Sequence, residues 1–222
     1  AFSNFNELRK NRANSLQTLL KKAEEQNSSG NGGADDRFWQ PEVDKVGNGS
    51  AVIRFLTPPE GCDPWVRTFN HGFKNEKSGK WFIEECPTTI HQECPVCAAN
   101  NELWETGIKE NQDIVRGRKR KLHYISNVLI IKDPKNPENE GKVKLFKYGK
   151  KIHDKILDAM QPQFEDITPI NPFDFWEGAN FKLRICKVDG YRNYDKSEFD
   201  SQSAVADDDS EIEAIWKQEY NL

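Results

Sequence analysis

The 222-residue chain lacks any long apolar run, since 36% of its residues are hydrophobic and 31% are charged. A membrane-spanning helix needs about 20 consecutive apolar residues, so we expect no membrane partner. The N-terminal stretch also lacks the apolar centre of a secretory signal. We therefore expect a reducing compartment, where stable disulfides are rare. Five cysteines are moreover an odd number, and a complete disulfide framework would leave one thiol unpaired.

Enzyme signatures are missing as well. A phosphate loop reads G-x-x-x-x-G-K-[ST], but Gly79-Lys80 and Gly141-Lys142 are followed by Trp and Val. We find no cluster of carboxylates placed to hold magnesium. The sequence therefore predicts a non-enzymatic protein. An enzyme acting on nucleic acid, such as a nuclease or deaminase, and a zinc-ribbon adaptor that binds protein through its acidic end remain as alternatives.

The residues between 71 and 97 hold three of the five cysteines and two of the four histidines. Cys94-Pro-Val-Cys97 is a C-x-x-C pair, which lets two thiolates bind one ion, and Cys86 precedes it by eight residues. With His71, these thiolates form a closed tetrahedral shell of the kind that suits zinc. We predict one structural zinc ion, which contributes to folding and not to catalysis.

Two features of this segment leave alternatives. His91 is closer to the cysteines in sequence than His71 is, so it is a second candidate for the imidazole ligand. His91-Gln92-Glu93 also forms an H-x-E before the C-x-x-C, as in zinc deaminases, where the two halves come from separate helices. Glu93 directly precedes Cys94, so it cannot reach across an open metal position. A redox site would need the C-x-x-C to open a helix in a βαβ unit, and the polar loop before it argues against that.

The composition changes along the chain divide it into segments. We predict an N-terminal basic arm (1–26), a flexible Gly/Ser-rich linker (27–37), a core (38–200) with a zinc subdomain around 62–105, and an acidic C-terminal segment (201–222). β-branched and aromatic runs predict strands over 50–56, 65–70, 80–85, 124–131, 142–148 and 180–188. Apolar spacing predicts helices over 150–160 and 207–220. Such a set suits a small barrel with a zinc insertion.

The net charge of −4 conceals a strong segregation of charge. Residues 109–155 contain 14 basic and six acidic residues, whereas residues 195–222 contain nine acidic and two basic ones. A run of charge is usually only a solvated face, but the dense block at 116–121 leads directly into His123 and Tyr124. We interpret this middle segment as a basic surface for an anionic partner.

The predicted strand "KVKLFKY" combines rings with cations. Alternation places Val143 and Leu145 on one face and Lys144, Phe146 and Tyr148 on the other. A surface of rings beside cations fits single-stranded nucleic acid, because bases stack on rings while phosphates pair with Lys and Arg. Trp104, Tyr191 and Tyr194 are further candidate rings.

Several strings resemble one family in order and at similar spacing, from about residue 45 to 200. They are "GNGSAVIRFL", "NHGFK", "GKW", "CPVC", "KDP", "NPENEGKV", "GKKI", "WEGANF" and "NYD". The chain resembles the T-even phage single-stranded DNA-binding, or helix-destabilising, proteins. The resemblance implies a mainly β fold with peripheral helices, namely an OB-type barrel with an inserted zinc-binding subdomain and a basic cleft. It also implies His71, Cys86, Cys94 and Cys97 as the metal ligands.

DNA contacts carry over residue by residue. Together, the residue pattern and the resemblance give this set of DNA-binding candidates: Arg54, Trp104, Arg116, Arg118, Lys119, Arg120, Lys121, Tyr124, Lys144, Phe146, Lys147, Tyr148, Lys150, Tyr191 and Tyr194. The chain departs from the family pattern at Leu122 and His123, which replace hydroxyl residues, and at His91, which replaces a tyrosine.

The resemblance also implies partners. A basic N-terminal arm makes binding cooperative in the family, and the matching candidates for self-association are Arg9, Lys10, Arg12 and Ser15. A long acidic tail recruits replication and recombination proteins in the family, and this sequence stops at Leu222 without one. We expect a protein that coats single-stranded DNA in replication, recombination and repair, in the cytoplasm of the infected bacterial host.

Overall fold

The computed structural model describes residues 35–59, 61–76 and 78–222. The compact unit from Arg37 to Leu222 is the one described below. The predicted arm, with its self-association candidates Arg9, Lys10, Arg12 and Ser15, and most of the predicted linker lie outside the described residues.

Strands dominate this unit, and all six predicted strands are confirmed. The described part of the chain contains β1 (Phe38–Trp39), β2 (Gly49–Phe55), β3 (Val66–Lys74), β4 (Trp81–Glu85), β5 (Lys121–Lys132), β6 (Val143–Tyr148), β7 (Ala179–Val188), β8 (Tyr191–Asn193) and β9 (Glu198–Gln202). The prediction of a mainly β fold with peripheral helices is therefore confirmed.

The strands form one sheet with the order β1-β6-β5-β2-β7-β8. All pairings are antiparallel except β1 with β6. β3 pairs with β5 and carries β4 on its outer part, and β9 pairs with β7. The two ends of this path do not pair with each other among the described residues, so closure into an OB-type barrel stays a prediction.

Helices pack around the sheet. They are α1 (Pro95–Glu105), α2 (Lys109–Arg118), α3 (Lys150–Met160) and α4 (Asp209–Trp216), with short 3₁₀ turns at Pro87–Ile90 and Pro137–Asn139. The predicted helix at 150–160 is confirmed, and the C-terminal one is shorter than predicted. It begins after Asp208, whose carboxylate accepts hydrogen bonds from the backbone N–H groups of Ser210 and Glu211. We did not predict α1 and α2 from the sequence.

Both faces of the central sheet are buried. Even-numbered residues of β5 and β6, such as Tyr124, Phe146 and Tyr148, join the main cluster with Ile152 and Ile156 of α3. Odd-numbered residues such as Leu129 and Val143 join a second cluster that also contains Ile212 of α4. Below, "main face" and "second face" denote the sheet surfaces that bear these two clusters.

The C-terminal segment belongs to the packed body. The predicted division at residue 200 falls inside β9, and Ile212 is buried against the second face. The Asn127 side chain of β5 both donates to the carbonyl of Tyr220 at 2.9 Å and accepts from its N–H at 3.0 Å. Within the described ranges, no helix combines the length and the apolar character that crossing a membrane requires.

Candidate metal centre and nucleic-acid interface

Four side chains meet in the metal loop, which we define as residues 71–105. One ligand atom from each of His71, Cys86, Cys94 and Cys97 lies within 4.8 Å of the others. The Nε2 atom of His71 is 3.4 Å from the sulfur of Cys94 and 3.6 Å from that of Cys97. The sulfurs of Cys86 and Cys97 are 3.7 Å apart. Tetrahedral zinc with ordinary bond lengths requires separations of about 3.6–3.8 Å, so the donor set fits this ion.

Local structure explains why these four residues meet. His71 pairs with Glu84 across the β3–β4 ladder, which leaves Cys86 just beyond the end of β4. Cys94 is the N-cap of α1, and Pro95 starts the helix, so the helical turn places Cys97 on the same side. His91 lies outside the cluster, because it is exposed and ends the 3₁₀ turn with φ at 59°. The structure therefore favours His71 over His91.

The cluster is tied to the basic segment by two outer contacts. The Nδ1 atom of His71 lies 2.9 Å from the backbone carbonyl of Arg118, which suits a ring that donates from Nδ1 and turns Nε2 towards the sulfurs. Thr88 Oγ1 is 3.1 Å from the sulfur of Cys86 and accepts a 2.5 Å hydrogen bond from Arg120. The ligands and the basic segment therefore hold each other in place.

The thiols of the cluster oppose one another's ionisation. Burial raises the pKa of the Cys97 thiol to about 12, together with the hydrogen bonds and charges of Cys86 and Cys94. Burial also opposes ionisation of Cys86, but hydrogen bonds from Thr88 and the neighbouring thiols lower its pKa to about 6. One thiolate thus makes the next harder to form, and a divalent cation would remove this conflict.

Arginine side chains lie over aromatic rings in and next to the metal loop. Arg116 lies over the ring of Trp104 at 5.6 Å, and Arg118 lies over Phe73 at 5.5 Å. Phe69, four residues before Phe73 on β3, contacts two arginines: the guanidinium carbon lies 4.3 Å from the ring centroid for Arg120 and 5.8 Å for Arg67. We call Arg67, Arg116, Arg118 and Arg120, with the rings they contact, the arginine row.

The arginine row offers both charges and ring surface. Trp104 is 44% exposed. Of the four arginines, Arg118 is half-buried and the other three are exposed. Lys119 and Lys121 are exposed on the same basic segment. Arg116 also makes an ion pair with Asp113 on its own helix. Sequence reasoning missed Arg67, Phe69 and Phe73, although the period-two alternation in "VRTFNHGFK" could have shown that they share the face of His71.

The remaining predicted contacts lie on β6, on β8 and just after it, and at the start of α3. Tyr191 on β8 is 80% exposed, and Tyr194 is half-buried against the main cluster. Lys150 starts α3 and makes an ion pair with Asp154 on its own helix, and Lys144 is partly exposed.

Three predicted DNA-contacting rings are buried. Phe146 is 1%, Tyr148 3% and Tyr124 7% exposed. The prediction of an exposed face bearing Phe146 and Tyr148 is therefore wrong, because α3 covers that face with Ile152 and other residues. Tyr124 stacks on His153, the one ring of α3, with ring centroids 3.8 Å apart.

Arg54, another predicted DNA contact, is also fully buried. Its guanidinium donates to the backbone carbonyls of Asp174 at 2.7 Å and Ser203 at 2.8 Å. Burial lowers the pKa of Arg54 to about 10, against the opposing charge of Asp174. Arg54 thus joins β2 to two loops with its guanidinium buried, and its contact with DNA stays a prediction.

Comparison with known proteins identifies the family. Residues 47–222 match the family described as gp32 DNA binding protein like. The chain belongs to this gp32-like family. The single-stranded DNA-binding protein of Enterobacteria phage T2 is 42% identical over 205 residues, and that of Enterobacteria phage T4 is 43% identical over 197 residues.

These alignments cover 88% and 85% of this gp32-like chain, but the chain spans only 66% and 63% of the length of the two relatives. A single-stranded DNA-binding protein of Escherichia phage SV14 is 42% identical over 90 residues, which is 38% of the chain and 77% of that relative.

Proposed function

We propose that this gp32-like protein binds single-stranded DNA without catalysing a reaction, and that it coats unpaired strands during phage replication, recombination and repair. The observation that supports this most strongly is the arginine row, where four guanidinium groups lie over three rings beside the metal loop. The names of the phage relatives agree with it.

The row suits an unpaired strand for a physical reason. Bases of a single strand expose flat faces that stack on rings such as Trp104, at about 1–3 kcal/mol per base, while phosphates pair with Arg and Lys. A duplex hides these base faces, so the row would discriminate against it. A ligand that binds only the unpaired strand shifts duplex melting by mass action.

We propose a structural role for one zinc ion held by His71, Cys86, Cys94 and Cys97. When bound, the ion would supply charge neutralisation and fix the loop. The chain's own residues do the rest: the Arg118 carbonyl orients His71, and Arg120 reaches the Cys86 sulfur through Thr88. The ion would thereby hold two arginines of the row in place, without entering the DNA site.

The wider assembly is part of the same proposal. We infer an OB-type barrel for the sheet, self-association along the strand through residues Arg9, Lys10, Arg12 and Ser15, and recruitment of replication and recombination proteins by any acidic tail of the full-length protein. The cytoplasm of the infected host is the expected location, because the unpaired DNA is there.

Titration of tryptophan fluorescence with oligo-dT, and with a duplex of equal length, tests the proposal. We expect quenching by the single strand, with a log–log salt slope of about −0.7 for each phosphate neutralised. Equal and weak binding of both DNAs would contradict it and favour the zinc-ribbon adaptor. Labelled DNA incubated with Mg²⁺ or Zn²⁺ should stay intact, since any product would indicate a nuclease or deaminase.

A further inference from the structure

The second face of the sheet carries a set of polar side chains where β6, β5, β3 and β4 lie side by side, and we call this set the recess. The register places Thr68 of β3 opposite His123 of β5, and Asn70 opposite Lys121. Glu85 of β4 pairs with Asn70, and Lys147 of β6 pairs with Ile125. Paired residues point to the same side, so these polar side chains share the second face, away from the arginine row.

An ion pair spans this recess. The Nζ atom of Lys147 lies 3.1 Å from a carboxylate oxygen of Glu85, although two strands separate β6 from β4. The pair therefore passes over the row of Thr68 and His123. The Glu85 side chain is 63% exposed and that of Lys147 is 26% exposed, and an exposed pair of this kind adds little stability.

The floor of the recess has unused hydrogen-bonding capacity. Within the described part of the chain, the buried atoms Thr68 Oγ1, Asn70 Oδ1 and His123 Nδ1 find no hydrogen-bond partner. Buried polar atoms are nearly always paired with protein, water or a ligand. Three such atoms at neighbouring register positions indicate a place for a polar group.

The charges around the floor favour an anion. Burial lowers the pKa of His123, and the positive charges of Lys147 and Lys121 lower it further, while Glu85 acts in the opposite direction. The charges of Lys121 and Lys147 therefore both act at a neutral His123, and the Glu85 carboxylate is the anion that pairs with Lys147. A phosphate has the same sign of charge and more acceptor oxygens than a carboxylate.

We propose that this recess is a phosphate subsite for the DNA backbone, and that the Glu85 carboxylate occupies it until a phosphate displaces it from Lys147. This inference rests on the proposed binding of single-stranded DNA. It extends the interface from the arginine row around the edge of the β3–β4 ribbon to its second face, and it gives His123, which departs from the family pattern, a role beside Lys121 and Lys147.

The test compares two neighbouring carboxylates. Glu85→Gln removes the competing anion from the recess, and Glu84→Gln makes the same change of net charge on the opposite face of β4. We expect oligo-dT to bind the Glu85→Gln variant about two- to fivefold more tightly than the Glu84→Gln variant at moderate salt, the range that an exposed ion pair supports. Equal affinities of the two variants would overturn the proposal, because only net charge would then matter.

A double-mutant cycle locates the effect. Lys147→Gln should weaken binding and reduce the salt slope by about 0.7. The gain in oligo-dT affinity caused by Glu85→Gln should vanish in the Lys147→Gln background, since Glu85 then has no lysine for which it competes with phosphate. An advantage that persists without Lys147 would contradict the proposal.

Two controls separate the possible failures. Glu85 precedes the metal ligand Cys86, so zinc content and melting temperature are compared for all variants, and only variants that match the wild type are interpreted. If the wild type does not prefer oligo-dT to the duplex, the proposed function fails. If it does and the two glutamine variants bind alike, only the phosphate subsite fails.

Discussion

The metal loop and the sheet core are held together by different means. All five residues of β4 are exposed, whereas Ile53, Val128, Ile130 and Phe181 of the main cluster are completely buried. Apolar burial therefore stabilises the core, while the metal loop has few buried side chains apart from its ligands. The comparison teaches how a short loop-rich segment could present rings and arginines to solvent: the proposed zinc ion, held by four ligands, would take over the stabilising role of a core.

Loss of a metal ligand should give the largest effect. Cys94→Ser should remove the one equivalent of bound zinc, because it deletes one of the three thiolate ligands. The effect should be large, since such an ion contributes about 10 kcal/mol to folding in small zinc peptides. Zinc content and hydrogen exchange of β4 would measure the loss, and the sheet core should keep its protection. Single-strand binding should fall too, since Arg118 and Arg120 lose their supports.

The matched control is Cys62→Ser, because Cys62 is an exposed thiol outside the cluster. It should retain zinc and affinity. Retention of a full equivalent of zinc by Cys94→Ser would contradict the ligand assignment.

Truncation of a core ring should damage the other region. Phe146 contacts Trp39 and Tyr148 with ring centroids 5.6 Å and 5.5 Å apart. Phe146→Ala should lower the free energy of unfolding by about 3–5 kcal/mol, measured by denaturant titration, with zinc content unchanged. Phe164→Ala is the control, since Phe164 is 66% exposed. An unchanged midpoint with weaker DNA binding would restore the sequence-based role of Phe146.

A ring of the arginine row should affect binding and not stability. Trp104→Ala should cost about 1–3 kcal/mol in oligo-dT affinity if a base stacks there, with little change in melting temperature. Trp176→Ala offers a comparison, because Trp176 is also exposed but its Nε1 donates to the carboxylate of Asp209 at the start of α4. Equal losses in both variants would argue against stacking on Trp104.

The smallest effect concerns pH. Burial lowers the pKa of His153, and Lys150 and Arg67 lower it further against the contribution of Asp154. A histidine with a lowered folded pKa adds stability above its unfolded value of 6.5, and this contribution falls as the pH decreases below 6.5. His153→Gln should therefore lose less stability than the wild type between pH 7.5 and 6.

His91→Gln provides the reference for this pH series, since His91 is exposed outside the metal cluster. Its melting temperatures should follow those of the wild type. Parallel curves for His153→Gln and the wild type would show that His153 does not contribute to the pH dependence.

The sequence predicted the strands and the three cysteines of the candidate metal cluster because both leave local patterns, whereas the choice of His71 over His91 came from the family resemblance. β-branched and aromatic runs marked all six strands, and the spacing of Cys86, Cys94 and Cys97 marked the metal loop. α1 and α2 escaped prediction for the same reason. Helix α2, "KENQDIVRGR", is polar almost throughout, so it lacks the apolar period that reveals a helix.

Burial of the predicted DNA contacts could not be found in the same way. Alternation in β6 shows which side chains share a face, but not which of the two faces the following helix covers. Phe146 and Tyr148 are buried because α3 packs on them, and Arg54 is buried because two loops supply its acceptors. Conversely, Phe69 and Phe73 are contacted by Arg120 and Arg118, which follow them in the sequence by 51 and 45 residues.

The two hydrogen bonds between the Asn127 side chain and the backbone of Tyr220 have a practical consequence for protein engineering. The amide of Asn127 bonds to the main chain of residue 220 through both N–H and C=O, as a neighbouring strand would do. These hydrogen bonds involve only backbone atoms of residue 220, so position 220 can accept many amino acids or a labelled residue. Proline is the exception, because it has no N–H to give.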